Sequence, residues 1–360
     1  MANRTQSSRP AYTSSVLRRR VRPALATATF TLFVLMLLTA FLSPFGYMLV
    51  TALKDRPMIT ESGAPILPSK PASFTYEGEE YPVFLVPDEN GNLHEWAIIK
   101  KRREESTFID PKNPDAGPIQ WKGRWRTLDP SWELSPMWEN FSYAWEQLNM
   151  LRLLRNTLLI AVVGMIGTVL SCTVVAYGFT RFRIPGKSVL FMILVSTMIL
   201  PTFVTIVPTY ILFERIGWMG TMLPLMVPHF FANAYNVFLL RQYFLTIPRE
   251  MDEAAMIDGA GPVRTLISVI LPQSVPALIA VGIFHFMWAW NDFFGPLLYL
   301  STEIDLQPIA IGIQRFNQQF SARPHMVQAS ALLGLLLPLT LFFLAQRIFM
   351  QGIVFTGVEK

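Results

Sequence analysis

The sequence predicts an all-α membrane protein of six transmembrane helices, with an extracytoplasmic insertion that contains some β structure between helices 1 and 2. Three observations support this fold class. The 360 residues are 52% hydrophobic and only 15% charged, whereas a soluble domain carries about 25% charged residues. Six apolar segments are long enough to cross a bilayer as helices. The charged residues are concentrated between these segments, above all in residues 54–150.

The first transmembrane helix is predicted over residues 24–53, after a basic N-terminus of residues 1–23. That N-terminus contains no acidic residue and six arginines, namely Arg4, Arg9, Arg18, Arg19, Arg20 and Arg22. A nucleic-acid-binding arm has a similar composition, but directly before an apolar segment the positive-inside rule explains the arginines better. A cleaved signal peptide is disfavoured because its apolar core spans only about 7–15 residues. We therefore expect a retained helix with a cytoplasmic N-terminus.

Residues 54–150 form a polar insertion rich in proline and tryptophan. Two short strands, Pro82–Val86 and Leu93–Ile99, are predicted around a turn-forming Asp-Glu-Asn-Gly-Asn segment. Asn140 is expected to cap a short helix, Phe141–Leu148, that leads into the second span. If helix 1 runs outward, the insertion is extracytoplasmic. Its lysines and arginines do not contradict this placement, because long loops translocate largely regardless of charge.

Five further helices are predicted within residues 151–350. They cover about residues 157–180, 189–213, 219–240, 274–300 and 327–349. The connection from Arg181 to Lys187 holds three cations and no acid, which places it in the cytoplasm, together with the loop 241–272 and the tail 351–360. Prolines inside the third and fourth helices free backbone groups that neighbours or a water-lined cavity must satisfy. They indicate a pathway-forming bundle, although proline kinks also occur in purely structural helices.

The long cytoplasmic loop is predicted to form an elbow of two short helices joined by a glycine corner. Thr246 as N-cap and Pro248 in the first turn suit a helix start. The acids that follow, at the positive end of the helix dipole, are Glu250, Asp252 and Glu253. Gly259 ends this helix, and a second helix, Val263–Leu271, ends at Pro272. Such a rigid projection suits a protein partner.

This elbow resembles the EAA loop of the permease subunits of ABC importers. The matching residues are Glu253, Ala254, Ala255, Gly259 and the ending Ile270-Leu271-Pro272, which lacks one intervening residue of the family pattern. The resemblance implies the type I ABC importer permease fold and a loop that docks on the ATPase subunit and transmits its closure. The residues that it assigns to ATPase coupling are Glu253, Ala254, Ala255, Asp258, Gly259, Gly261 and Pro272. An ordinary linker helix is the alternative, because short Glu-Ala-Ala runs are common.

The sequence contains no motif for a catalytic, cofactor or metal site, so we expect no enzymatic activity. Gly186-Lys187-Ser188 ends like a phosphate-binding loop, but Arg181 occupies the position of its first glycine and no strand precedes it. Nucleotide binding is therefore assigned to a partner. His229 and His285 lie in separate apolar spans and are interpreted as helix-packing or pathway-lining residues, and Cys172 as a small packing residue.

A second informative segment runs from Trp288 to Pro296. A carboxylate at membrane depth is costly and usually faces a cavity or a partner, and aromatic rings combined with amide groups suit a sugar. Trp290, Asn291 and Asp292 are therefore candidate translocation-pathway residues; an interfacial aromatic belt at a polar helix end is the alternative. The segment is similar to the carbohydrate branch of the permease family, in its MalG-like subunits.

This resemblance implies one permease subunit of an ATP-driven, binding-protein-dependent importer for a sugar or oligosaccharide, in the cell (inner or plasma) membrane with both termini cytoplasmic. The implied partners are a second, MalF-like permease subunit, two ATP-binding-cassette subunits, an extracytoplasmic solute-binding protein and lipid. Cofactors and nucleic acid are not expected. The alternatives are glycerol-3-phosphate or another polar solute and, in a different class, an ion-coupled secondary carrier. Such carriers typically show paired repeats and several intramembrane ionisable groups.

Overall fold

The structure is a computed structural model that describes residues 13–60, 63–88, 91–317 and 322–354. The first part of the predicted basic N-terminus and residues 355–360 of the predicted tail lie outside these ranges. The helices are α1 Thr13–Ala52, α2 Arg56–Thr60, α3 Glu139–Leu148, α4 Met150–Arg181, α5 Lys187–Ser196, α6 Thr202–Arg215, α7 Leu223–Met226, α8 Ala234–Thr246, α9 Glu250–Ile257, α10 Pro262–Thr265, α11 Leu271–Gln273, α12 Val275–Asn291, α13 Phe294–Tyr299, α14 Ile309–Gln314 and α15 Pro324–Val354.

Within the described residues, four helical segments are long and apolar enough to cross a membrane on their own. They are Leu25–Ala52, Met150–Arg181, Leu223–Thr246 and Pro324–Gln346. Two bent pairs raise the count to six if each is one span, namely Lys187–Ile199 with Phe203–Arg215, and Pro262–Gln273 with Val275–Asn291. The predicted membrane bundle with a β-containing insertion is therefore confirmed, while several predicted helices are interrupted.

The predicted third helix, residues 189–213, is not continuous. The chain bends by 99° between its two halves, and Pro201 stands at the break in an extended conformation. Proline lacks the backbone N–H that an uninterrupted helix uses. Pro208, by contrast, lies inside α6. The presence of a proline alone therefore does not determine where this span breaks.

The predicted fourth helix, residues 219–240, is also interrupted. The 3-10 turn Val227–Phe230 is followed by a break, after which α8 continues to Thr246. Asn233 starts α8, because its side-chain oxygen accepts a 2.9 Å hydrogen bond from the Asn236 N–H. The elbow loop consequently begins after Thr246, later than predicted.

The remaining predicted spans differ mainly at their ends. Residues 274–300 form two helices, since α12 ends at Asn291 and α13 starts at Phe294. In contrast, α4 and α15 extend beyond the predicted 157–180 and 327–349 at both ends. An apolar run marks only the part of a helix in the hydrocarbon layer, whereas a helix also continues through polar flanks.

The insertion forms eight strands in the described part of the chain, rather than a single hairpin. They are β1 Ser69–Pro71, β2 Ser73–Tyr76, β3 Glu79–Pro87, β4 Leu93–Lys100, β5 Glu105–Ile109, β6 Ile119–Lys122, β7 Asp129–Pro130 and β8 Trp132–Leu134. An antiparallel sheet has the order β2-β3-β4-β5-β6, with β7 paired to β3, and β1 pairs with β8. The predicted hairpin is present as β3 and β4, which pair through Val83 and Ala97.

Asn140 does not cap α3 as predicted, since α3 already begins at Glu139. The Asn140 side chain instead donates to the carbonyl of Ala52 at 2.8 Å and to that of Lys54 at 2.9 Å. These bonds satisfy carbonyls at the C-terminal end of α1, where intrahelical partners are missing. They also join the beginning and the end of the insertion.

The central helix of the bundle is α4. It packs against α12 and α8, and also against α3 and α14. Two buried clusters lie along it, one containing Leu153 and Trp290 and the other containing Cys172 and Phe244. Cys172 is buried, in agreement with its predicted packing role.

Candidate functional site

The elbow consists of α9, a glycine corner and a second arm, Pro262–Gln273. Gly259 has a φ of +78°, a left-handed conformation that favours glycine, and it ends α9 as predicted. The Gly259 N–H donates to the Met256 carbonyl at 3.0 Å, and the Ala260 N–H donates to the Ala255 carbonyl at 2.9 Å. These bonds close the helix end and fix the corner.

The start of the elbow differs from the prediction. Thr246 is not the N-cap of α9, since it is the last residue of α8 and its hydroxyl donates to the Tyr243 carbonyl at 2.7 Å. Pro248 precedes α9, which starts at Glu250. A threonine followed by a proline therefore ends one helix here instead of starting the next.

Pro272 does not end the second arm as predicted, because the helix continues to Gln273. A π-helical segment, Leu266–Ile270, comes just before it. Such a wider turn changes the hydrogen-bond pattern around the missing proline N–H. The Gln273 amide donates to the Val269 carbonyl at 3.1 Å and so satisfies one of the carbonyls of this segment.

Most of the residues predicted to couple to an ATPase are exposed, and their exposed surface is the outer side of the elbow. Those that are exposed are Glu253, Ala254, Asp258, Gly259, Gly261 and Pro272, while Ala255 is half-buried. Large apolar side chains are exposed beside them: Ile257 is 87% exposed, Val263 70% and Met256 60%. A grouping of exposed apolar side chains with charged neighbours is typical of a protein interface.

The inner side of the elbow is joined to the C-terminal end of α4. The Arg181 Nε lies 2.7 Å from the Asp252 Oδ2, and the Arg181 Nη2 donates to the Ile247 carbonyl at 3.0 Å. The Tyr177 hydroxyl donates to the Pro262 carbonyl at 3.1 Å. Burial raises the pKa of Asp252 from its ordinary value, against the opposing effect of the guanidinium. The sequence marks Asp252 only as a first-turn acid and does not reveal this partner.

A second candidate site is a cavity of about 320 Å³ inside the bundle, bordered by α4, α6, α12 and α13. Its polar and aromatic lining includes Thr157, Thr205, Thr209, His229, Trp288, Asp292 and Tyr299. The Asp292 Oδ1 accepts a 3.1 Å hydrogen bond from the Gly295 N–H, which fixes the carboxylate at the start of α13. Among the residues that the structure describes, no lysine or arginine lines the cavity.

Of the three predicted pathway residues, Asp292 alone lines this cavity. Trp290 is buried in the core and stacks on Phe286, with 5.6 Å between ring centroids. Asn291 is exposed, and its amide donates to the Met287 carbonyl at 2.7 Å. Successive residues at the end of a helix point about 100° apart. Three consecutive residues therefore could not all face one cavity.

Two histidines that are far apart in the sequence meet in the bundle, which was not predicted. The rings of His229 and His285 are 4.4 Å apart between centroids, and the Trp288 ring lies 5.4 Å from that of His229. Thr168 and His285 share a 3.0 Å hydrogen bond. Gly164 makes room for the pair, because a Cβ there would come within 2.5 Å of the His285 Nε2. Within the described ranges, no group of three or more potential ligands could hold a metal ion.

Relatives of this chain are found among transport proteins. Residues 167–354 match the family model described as the binding-protein-dependent transport system inner membrane component. The osmoprotective compounds uptake permease protein GgtD of Synechocystis sp. is 30% identical over 206 residues, which cover 57% of this chain and 69% of that protein. The sn-glycerol-3-phosphate transport system permease protein UgpE of Agrobacterium fabrum is 34% identical over 207 residues, which cover 57% and 73%.

The fold is also found in a solved structure, that of a bacterial ABC transporter involved in the import of the acidic polysaccharide alginate. The TM-score is 0.61 at 17% sequence identity, over 94% of this chain and 99% of that chain. The family match includes the elbow, its contacts with α4 and most of the cavity lining. The chain therefore belongs to the family of binding-protein-dependent transport system inner membrane components and is a permease subunit of an ABC importer.

Proposed function

We propose that this permease subunit forms one half of the translocation pathway of an importer for a neutral sugar or oligosaccharide. The cavity lining carries this proposal. The rings of Trp288 and Tyr299 suit the apolar faces of sugar rings, while threonine hydroxyls and the Asp292 carboxylate suit sugar hydroxyls. A cavity of this composition combines apolar walls with a few polar groups, as small-molecule sites usually do.

The charge of the lining favours a neutral solute over an anionic one. Asp292 is a carboxylate, and the described lining residues include no lysine or arginine that could compensate a second negative charge. An unpaired anion beside a carboxylate is strongly disfavoured where little water is present. Glycerol-3-phosphate, suggested by the UgpE relatives, is therefore the second candidate.

The solute class is tested with the complete importer in proteoliposomes. We expect the solute-binding protein of this importer to bind neutral oligosaccharides, and ATP-dependent uptake to show the same preference. Asp292→Asn should lower that uptake, because it removes the carboxylate that fixes sugar hydroxyls. Asn291→Asp is the matched control, since its added carboxylate lies outside the cavity. Uptake of glycerol-3-phosphate with no uptake of neutral sugars would overturn the assignment.

The elbow is proposed to dock on an ATP-binding-cassette subunit in the cytoplasm. The basic connection after α4 and the exposed Glu253 and apolar residues of α9 support this placement. Both termini are then cytoplasmic and the insertion of residues 54–150 is extracytoplasmic, on the side of the solute-binding protein. A second, MalF-like permease subunit supplies the other half of the pathway, and a second ATPase completes the importer.

Variants of the elbow test this docking. Glu253→Lys reverses a charge on the outer face, and Gly259→Pro is incompatible with the positive φ at the corner. Either change should leave membrane insertion intact, weaken co-purification of the ATPase and abolish uptake. Glu250→Lys is the matched control, with the same charge change on the same helix. Normal co-purification and uptake in the first two variants contradict the proposed docking of the elbow on the ATPase.

A further inference from the structure

The last two turns of α4 contact both arms of the elbow. Arg181 reaches the first arm through Ile247 and Asp252, and Tyr177 reaches the second arm through the Pro262 carbonyl. Tyr177 and Arg181 are four residues apart and hence lie on one face of α4. A movement of the elbow must therefore either carry the end of α4 with it or break these contacts.

The Arg181–Asp252 ion pair is buried, unlike the ion pair at the opposite end of α4. The side chains of Arg181 and Asp252 are 8% and 12% exposed, whereas those of Arg152 and Asp305 are 26% and 80% exposed. Exposed ion pairs contribute little to the stability of a protein. Separating a buried pair leaves an uncompensated charge away from water, which is strongly unfavourable. The buried pair therefore resists any separation of α9 from α4.

Two neighbouring acids of α9 differ in burial. Glu253 is exposed, while Asp252 is buried against α4. In the described part of the chain, the Asp252 Oδ1 has no hydrogen-bond partner. The attachment of this carboxylate to the membrane helix consequently depends on its ion pair with Arg181.

The helix held in this way extends to the membrane cavity. Thr157 and Ile160, near the other end of α4, belong to the cavity lining. Along its length α4 packs against α8 and α12, and α12 contributes Trp288 to the same lining. A packed helix with discrete contacts can carry a displacement over such a distance.

We propose that Arg181 and Asp252 form a latch through which the elbow moves α4 and so changes the cavity. Both are positioning residues for coupling, and neither is a contact to the ATPase. The latch remains closed during the transport cycle, so that α9 and α4 move as one body. This inference rests on the proposed docking of the elbow on the ATPase.

The test uses the complete importer in proteoliposomes and a thiol probe in the cavity. Thr209→Cys is introduced together with Cys172→Ala, which removes the single native cysteine. Labelling by N-ethylmaleimide is measured with and without ATP and vanadate, alongside ATPase co-purification and ATP hydrolysis. The wild-type latch should give an ATP-dependent change in labelling rate.

Arg181→Met and Asp252→Asn should retain ATPase co-purification and ATP hydrolysis, yet reduce the ATP-dependent change in labelling about 10-fold, within the usual range of coupling between sites. Arg152→Met, at the exposed pair, should leave that change intact. If a single variant does not fold, the charge-reversed double variant Arg181→Asp with Asp252→Arg should restore folding and coupling. A folded latch variant with normal labelling changes overturns the latch. If the ATPase does not co-purify with the wild-type permease, the docking proposal is overturned instead.

Discussion

The N-terminal end of α4 is joined mainly to backbone groups at and before the start of α14, beside an exposed ion pair. Its C-terminal end, in contrast, is joined to the elbow by a buried ion pair together with two hydrogen bonds to backbone carbonyls. The Asn156 amide donates to the carbonyls of Asp305 at 2.8 Å and Gln307 at 3.1 Å. The Thr157 hydroxyl accepts a 2.9 Å hydrogen bond from the Ile309 N–H. These backbone groups have fixed positions, so the N-terminal end of α4 is held in a single position.

The C-terminal end is held differently, because its contacts lead to an element that projects from the bundle. The elbow has a glycine corner with an open, left-handed backbone at Gly259, and its outer side is exposed. The ion pair of Arg181 and Asp252 ties this projection to α4. Under the proposed coupling, α4 therefore has a fixed end beside the cavity and a driven end beside the surface that docks on the ATPase.

The largest effect on the fixed end is expected for Asn156→Leu. The substitution leaves the carbonyls of Asp305 and Gln307 without this donor, and each unsatisfied buried group costs about 1–3 kcal/mol. We expect a loss of about 2–6 kcal/mol in the free energy of unfolding, from the sum of two such losses. It should appear as a clearly lower melting temperature of the detergent-solubilised protein.

Asn291→Leu is the matched control, because Asn291 is exposed and bonds only one turn back within its own helix. It should melt close to the wild type. Equal melting temperatures for the two variants would show that the backbone bonds of Asn156 do not fix the N-terminal end, and the comparison between the two ends would fail.

The contacts that hold the N-terminal end of α4 could not be predicted from the sequence, for a physical reason. Asn156 and its acceptor Gln307 are 151 residues apart, and an asparagine within an apolar helix does not reveal its partner. The glycine corner at Gly259 was predictable because it is local: a helix needs a residue with positive φ where the chain turns. The β3–β4 hairpin was predictable for the same reason, from alternation and a turn signal.

Helix breaks show the same limit of local information. Pro201 breaks a span and Pro208 does not. The break in the fourth span is supported from α4, where the Ser171 hydroxyl donates to the His229 carbonyl at 3.2 Å. Whether a freed carbonyl finds such a donor depends on the packing of distant helices. For the same reason the pairing of His229 with His285 could be found only in the structure.

The middle of α4 links the two ends, and Gly164→Ala is expected to disturb it. A Cβ at Gly164 would lie 2.5 Å from the His285 Nε2 and 3.1 Å from the His229 Cδ2, so the edge-to-face rings must shift. Such overpacking costs about 1–3 kcal/mol. A lower melting temperature and a changed rate of cavity labelling should follow.

Gly178→Ala on the same helix is the matched control, because in the described part of the chain no atom outside its own stretch of helix lies within 4 Å of the added Cβ. It should be neutral or slightly stabilising, since alanine favours a helix more than glycine by about 1 kcal/mol. If both glycine variants behave alike, the histidine pair does not constrain the middle of α4, and the link between its ends must lie elsewhere.

The smallest effect is expected for Arg152→Met, which removes the ion pair with Asp305. Asp305 is 80% exposed in this pair, and exposed pairs contribute about 0–1 kcal/mol. The melting temperature should therefore change little, and less still in high salt, which screens surface charges. Arg181→Met, at the buried pair, should lower it distinctly more. Equal decreases in melting temperature for Arg152→Met and Arg181→Met would mean that burial does not distinguish the two ion pairs. The two ends of α4 would then be held equally strongly, and the proposal that the elbow moves the C-terminal end would lose its physical basis.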